Sequence, residues 1–406
     1  MTLVDRSSPS DAAAKRSHDP ALDGLRGVAL IMVFLLHTII LPEGTFRIFK
    51  DVIELGRLGV DLFFCLSGFL ITGILYAAKN DAHYFRNFYA RRALRIFPLY
   101  YFFLVLYYFL VVHWHVVHIG AAKTAEAAAD LHWLWFYGTN LRIAETGTFI
   151  TSSLNHFWTL AVEEHFYLMW PFLVFSLSAK RLMGAVGVIA LGALLLRVVL
   201  QARDWPDAVI LTLTPCRIDS FAIAGSVAIA QSHAQWRERL QRIASFALLP
   251  LLGLAIFAVL LGGAWESTVG FSLVAISFSL IIVQLGKPGL FRRLMSLRAL
   301  RTVGKYSYAL YVFHFPIQIG LNRTLSTAKL SAYTHSLAVA VVINMLLVAI
   351  LSWITALITW TLIESRFLAL KKYFPESERR RVLASRSRPS KRGMRIPDFD
   401  WFFRRR

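Results

Sequence analysis

The sequence predicts an all-α, polytopic integral membrane protein with about ten transmembrane helices and both termini cytoplasmic. Three observations carry that prediction. The 406 residues are 57% hydrophobic. Apolar runs long enough to cross a bilayer recur from Leu22 nearly to Ser365. Lys and Arg gather in alternate loops, as the positive-inside rule requires of a multi-span chain.

The runs fall at 22–41, 58–78, 96–117, 157–177, 183–201, 208–230, 244–262, 267–285, 304–321 and 334–363. The first follows about twenty polar residues and is long enough to remain as an anchor, so no cleavable signal is expected. Basic loops lie before the third run (Lys79, Arg86, Arg91, Arg92, Arg95), after the sixth (Arg237, Arg239, Arg242) and between the eighth and ninth (Lys287 to Lys305). With ten spans these loops share one side, the cytoplasmic one, with both termini. The expected organisation is a cytoplasmic tail over 1–21, a membrane domain over 22–365 and a basic, disordered cytoplasmic tail over 366–406. That last segment holds fourteen Lys or Arg against four acids, half of the net charge of +20. A basic tail beside a final helix suits anionic lipid, so membrane lipids rather than nucleic acid are its expected partner. Cys65 and Cys216 both lie in apolar stretches and suggest neither a disulfide nor a metal site.

Polar residues inside the apolar runs mark the site. An ionisable group near bilayer depth costs about 2.5 to 3.5 kcal/mol on insertion scales, so it normally faces a protein interior or a cavity. In the first run Arg26 and His37 are eleven residues apart, on one face and about 16 Å apart. Asp23 is placed to pair with Arg26. Taken alone, His37 is more often an interior, hydrogen-bonded histidine than a catalyst. The second run carries Asp61, Ser67, Gly68 and Thr72. In the fourth, His156 and Glu163 share a face and Glu164 points nearby. The bland reading of that run is an interfacial helix start with Trp158 at headgroup level; by depth, Glu163, Glu164 and His37 all fall near the outer end. Arg92 and Arg95, one turn apart before the third run, suit a phosphate, although a plain positive flank is the commoner origin of such a pair. Pro215, Arg217 and Asp219 predict a break beside a polar cavity. Ser307, Tyr311, His314 and Gln318 form a polar stripe that also fits ordinary helix contacts. None of this is a metal motif, a P-loop or a dinucleotide fingerprint.

The residues resemble the acyltransferase 3 family of integral-membrane acyltransferases. The resemblance rests on "LDGLRGVAL" with "FLLH" over 22–37, "GVDLFFCLSGFLITG" over 59–73 and "FYARRALRIFPLYY" over 88–101. It continues through "HFWTLAVEEHFYLMWP" over 156–171, "RIDSF" over 217–221 and "YSYALYVFHFPI" over 306–317. It implies transfer of an acyl group, commonly acetyl, from cytoplasmic coenzyme A to a hydroxyl of an extracytoplasmic carbohydrate. Acetyl-CoA is then a donor substrate, with no permanently bound cofactor and no metal. By motif match His37 corresponds to the essential histidine and Arg92 with Arg95 to the paired arginines. Arg26, Asp61, Ser67, Glu163, Glu164, Arg217 and Asp219 fall on further motif positions. His165 stands where the family often has glutamine. The basic tail takes the place of the esterase-like domain of some relatives, so a two-domain relay within the chain is not expected.

The expected machine has two sides. Arg26, Arg92 and Arg95 hold the donor; His37 acts as general base, oriented by Glu163 or Glu164. Asp61, Ser67, His156, Arg217, Asp219 and His314 line the cavity. The expected location is the inner, plasma membrane. Two alternatives come from other classes: a transporter of an acyl donor or polysaccharide precursor, and an assembly subunit that meets polysaccharide-assembly proteins through the basic tail. The identity of the carbohydrate has no signature in the sequence.

Overall fold

The computed structural model describes residues 19–39, 47–114, 120–150 and 152–375. The N-terminal segment before Asp19 and most of the basic tail, two of the expected units, lie outside the described residues. Among the described residues the secondary structure is helical throughout, with no strand. The helices are α1 (Pro20–Thr38), α2 (Arg47–Glu54), α3 (Leu58–Ala78), α4 (Tyr84–Tyr107), α5 (Ala121–Trp135), α6 (Thr139–Thr146), α7 (Trp158–Ser176) and α8 (Ala179–Ala202). They continue with α9 (Asp207–Thr212), α10 (Thr214–Ala230), α11 (Ala234–Leu261), α12 (Phe271–Leu285), α13 (Leu290–Met295), α14 (Arg298–Thr324), α15 (Thr327–Thr334) and α16 (Leu337–Thr359).

Among the described residues each expected run is helical over most of its length, and eight helical stretches are long and apolar enough to cross a membrane. The other two expected spans, α7 and α14, are helices of 19 and 27 residues. Glu163, Glu164 and His165 in α7 and the basic first turns of α14 reduce their apolarity. Several helices begin well before their apolar run: α4 starts at Tyr84 and α11 at Ala234. The run bounds the hydrocarbon depth, while arginine, a good helix former, lets the helix continue past it.

Local chemistry explains the boundaries. Asp19 accepts a hydrogen bond from the Ala21 amide at 3.0 Å and Pro20 opens α1, where its missing N–H leaves nothing unpaired. Between α9 and α10 the chain leaves the helix at Leu213, with Pro215 in the first turn of α10, so the expected break is present. Both cysteines are free and buried.

Glycine sets the centre of the bundle. α1 lies along α14 and α3, and α3 along α10. A Cβ on Gly27 would land on the Leu300 carbonyl oxygen, and one on Gly304 on that of Asp23, so α1 and α14 meet backbone to backbone. Gly68 likewise abuts the backbone of Phe221. Outer helices show the opposite character. α8 exposes Val188, Leu191 and Leu195, α11 Phe246, Leu249 and Phe257, and α16 Val342, Leu346 and Ile350. Exposed apolar side chains at three- and four-residue spacing are the lipid-facing side of a membrane helix. The protein is therefore a multi-pass, all-α membrane protein.

Candidate active site

Two cavities of interest lie among the tightly packed central helices. The first, of about 800 Å³ with its mouth, is lined by Arg26 from α1, Ser67 from α3, Arg92 and Arg95 from α4, and Glu163, Glu164 and Tyr167 from α7. Arg92 and Arg95 lie one turn apart and so share the inward face. Arg91, rotated by about 100°, donates instead to the Phe374 carbonyl oxygen at 3.0 Å. Among the described residues no salt bridge holds Arg92 or Arg95, and the Arg92 guanidinium lies 5.4 Å from the centre of the Tyr167 ring. Arg26 makes the expected pair with Asp23, at 3.3 Å. Glu163 accepts from Tyr167 Oη at 2.9 Å and from Ser67 Oγ at 3.3 Å. Glu164 Oε1 has no hydrogen-bond partner among the described residues.

The second cavity, of about 830 Å³ with its mouth, is lined by His37, Arg57, Asp61, His156, Arg217 and Glu266, among others. Asp61 and Arg217 form a buried ion pair, and the Arg217 guanidinium lies 3.7 Å from the centre of the Phe271 ring. Arg57 Nε lies 2.8 Å from Glu266 Oε1. His37 Nδ1 is 2.8 Å from His314 Nε2. Behind it, His314 Nδ1 is 3.0 Å from the Leu310 carbonyl oxygen and 2.8 Å from that of Tyr311. His156 Nε2 approaches the Val312 carbonyl oxygen at 3.4 Å, and its Nδ1 has no partner among the described residues.

Val60, Thr159 and Tyr311 line both cavities. The Thr159 and Tyr311 hydroxyls are 2.7 Å apart and both reach the His156 carbonyl oxygen, at 2.9 and 3.1 Å. These side chains form a shared wall. Along α1, Arg26 opens on one side of it and His37 on the other.

Several expectations need correction. Glu163 and Glu164 do not orient His37: they lie with the arginines, and the hydrogen-bond partner of His37 is His314. His156 and Glu163 do not share one α-helix face: His156 lies in the 3-10 turn Ser152–Phe157 ahead of α7 and lines the second cavity, whereas Glu163, seven residues on in α7, lines the first. Asp219 lines neither cavity. It is fully buried, 2.9 Å from Arg197 Nη2 and 2.7 Å from Ser272 Oγ. It stands two residues from Arg217, hence on the opposite side of α10. Trp158 is buried, with its ring edge-on to that of Phe64. His165 Nδ1 lies 2.8 Å from Thr214 Oγ1 at the start of α10, outside both cavities. His314 stands behind His37, fully buried, and does not itself line the cavity.

Sequence reasoning missed Arg197, Arg57, Glu266 and Tyr167. Arg197 had a signal, a lone cation within an apolar helix. Glu266 and Arg57 sit at the ends of runs, where charge is ordinary.

The family model described as an acyltransferase domain matches residues 19–364. Over 352 residues the chain is 25% identical to the O-acetyltransferase OatA of Staphylococcus aureus, covering 83% of this chain and 55% of that one. Over 325 residues it is 29% identical to the peptidoglycan O-acetyltransferase OatA of Listeria monocytogenes, covering 74% and 50%. The chain thus spans about half the length of these relatives. No solved structure matches it. The matched region contains all the helices that build the two cavities and their wall, and the chain belongs to the acyltransferase 3 family of membrane acyltransferases.

Proposed function

We propose that the chain is a membrane O-acyltransferase that moves an acyl group, acetyl by preference, from cytoplasmic acyl-coenzyme A to a hydroxyl of an extracytoplasmic carbohydrate. The observation that carries this reading is the placement of Arg92 and Arg95 in one cavity and His37 in another across a single shared wall. Guanidinium forks suit the phosphates of a nucleotide donor, and a neutral imidazole suits proton transfer near pH 7. Both termini then lie in the cytoplasm and the membrane is the inner, plasma membrane, since basic loops face inward.

In the reaction, the acceptor hydroxyl gives its proton to His37 and its oxygen bonds to the thioester carbonyl carbon. The carbon–sulfur bond then breaks and the proton passes to the departing sulfur, leaving an ester and free coenzyme A thiol. Arg26, Arg92 and Arg95 hold the anionic end of the donor, and its thin arm crosses the wall at Val60, Thr159 and Tyr311. Glu163, with Ser67 and Tyr167, shapes the donor cavity. Asp61, Arg217 and His156 shape the acceptor cavity. For the acceptor we assign a cell-envelope polysaccharide, and the name of the Listeria relative makes peptidoglycan glycan the first to try.

The test is thiol release by the purified full chain given acetyl-CoA and peptidoglycan glycan, with the acetyl ester read on the glycan by mass spectrometry. Matched thiol and ester are expected, and His37→Ala should abolish both while donor-induced thermal stabilisation persists. A carrier would bind donor and release no thiol. That result would overturn the reading.

A further inference from the structure

We infer that His314 is a positioning residue that fixes which ring nitrogen of His37 carries the proton. The inference rests on the reading of His37 as the base and goes one step behind it.

The contacts of His314 imply an order for the protons. Carbonyl oxygens only accept, so the His314 nitrogen facing those of Leu310 and Tyr311, Nδ1, must donate. His314 is fully buried, and no carboxylate among the described residues is hydrogen-bonded to it. A charged imidazolium there would be a buried cation without a counter-ion, so the ring is neutral and its Nε2 is a lone pair. That lone pair lies 2.8 Å from His37 Nδ1. One of the two nitrogens must supply the hydrogen, and only His37 Nδ1 is able to. His37 therefore carries its proton on Nδ1, and its Nε2 is the bare, basic nitrogen. In water the neutral side chain prefers the opposite tautomer, with the proton on Nε2 and no base where the reaction needs one. His314 thus occupies the place that a carboxylate takes behind the histidine of a hydrolase triad, but as a neutral acceptor. The ion pairs of this cavity, Asp61 with Arg217 and Arg57 with Glu266, already engage its carboxylates.

The experiment compares His314→Leu and His314→Gln in the full-length protein, beside His37→Ala. Leucine offers no acceptor, whereas the glutamine amide oxygen reaches the region of the lost Nε2. His314→Leu is expected to lower kcat by about 10²- to 10⁴-fold, the range of general-base catalysis, with the donor KM nearly unchanged. Glutamine should restore a large part of kcat. Equal loss in both variants, or no loss in His314→Leu, overturns the inference. Persisting turnover in His37→Ala would instead overturn the base reading beneath it, so the two failures are distinguishable. Nitrogen-15 spectra of histidine-labelled wild-type protein give a readout that requires no folded variant at position 314. His37 is assigned there by signal loss in His37→Ala. A protonated Nδ1 with a bare Nε2 is expected, and the reverse tautomer overturns the inference.

Discussion

Asp61 on α3 and Arg217 on α10 form an ion pair at the edge of the His37 cavity, with side chains only 4% and 1% exposed. Little of either charge reaches solvent. Breaking such a pair from one side leaves the other charge uncompensated and costs about 3–5 kcal/mol, whereas replacing both by packed apolar groups is often neutral. Asp61→Ala should therefore lower the thermal midpoint sharply. Asp61→Leu combined with Arg217→Met should recover most of it. Differential scanning fluorimetry in detergent checks both, and a double variant no more stable than the single one would contradict the pairing.

The contact of α1 with α14 gives a steric prediction. Gly27→Ala and Gly304→Ala each drive a methyl group into the backbone of the facing helix and should destabilise, in the range of about 1–3 kcal/mol seen for overpacking. Gly253, inside α11 with nothing near its Cα side, is the control. There alanine should be neutral or stabilising by up to about 1 kcal/mol. A scan in which all three behave alike would argue against the backbone contact.

Donor binding should separate three consecutive-looking arginines. Arg92→Ala with Arg95→Ala should remove the thermal shift produced by acetyl-CoA. Arg91→Ala should keep it, because that guanidinium turns to the Phe374 carbonyl oxygen. Arg92→Lys keeps the charge but loses the fork, so a weakened shift is expected. Loss of the shift in Arg91→Ala would place the donor elsewhere.

The shared wall predicts a graded response at Tyr311. Removing its hydroxyl, as in Tyr311→Phe, loses hydrogen bonds to Thr159 and His156 but keeps the ring. The expected cost is about 1 kcal/mol of stability. Tyr311→Ala opens the wall itself and should lower turnover far more than the phenylalanine variant does, measured as thiol release.

Much of this architecture was legible because a helix carries its own ruler. Apolar runs gave the spans, i and i+3 spacing gave the common face of Arg92 and Arg95, and Pro215 gave the break before α10. Pairings between helices were not legible. His37 and His314 are 277 residues apart, and periodicity fixes a face within one helix without saying which helix it meets. The misplacement of Glu163 and Glu164 has the same root: α7 begins only at Trp158, after the 3-10 turn that holds His156, and which cavity its carboxylates enter depends on helices far away in sequence. Arg217 and Asp219 mislead in the reverse way, being close in sequence yet on opposite sides of α10.

One consequence of the shared wall concerns the membrane more than the reaction. With the two cavities facing opposite sides, as proposed, polar space enters the bundle from both directions, and Val60, Thr159 and Tyr311 stand where the two spaces meet. Those three side chains then serve as electrical insulation as well as a passage. A water file through them would short-circuit the ion gradients that the bilayer maintains. The donor arm itself must act as a stopper while it crosses, filling the opening that it makes.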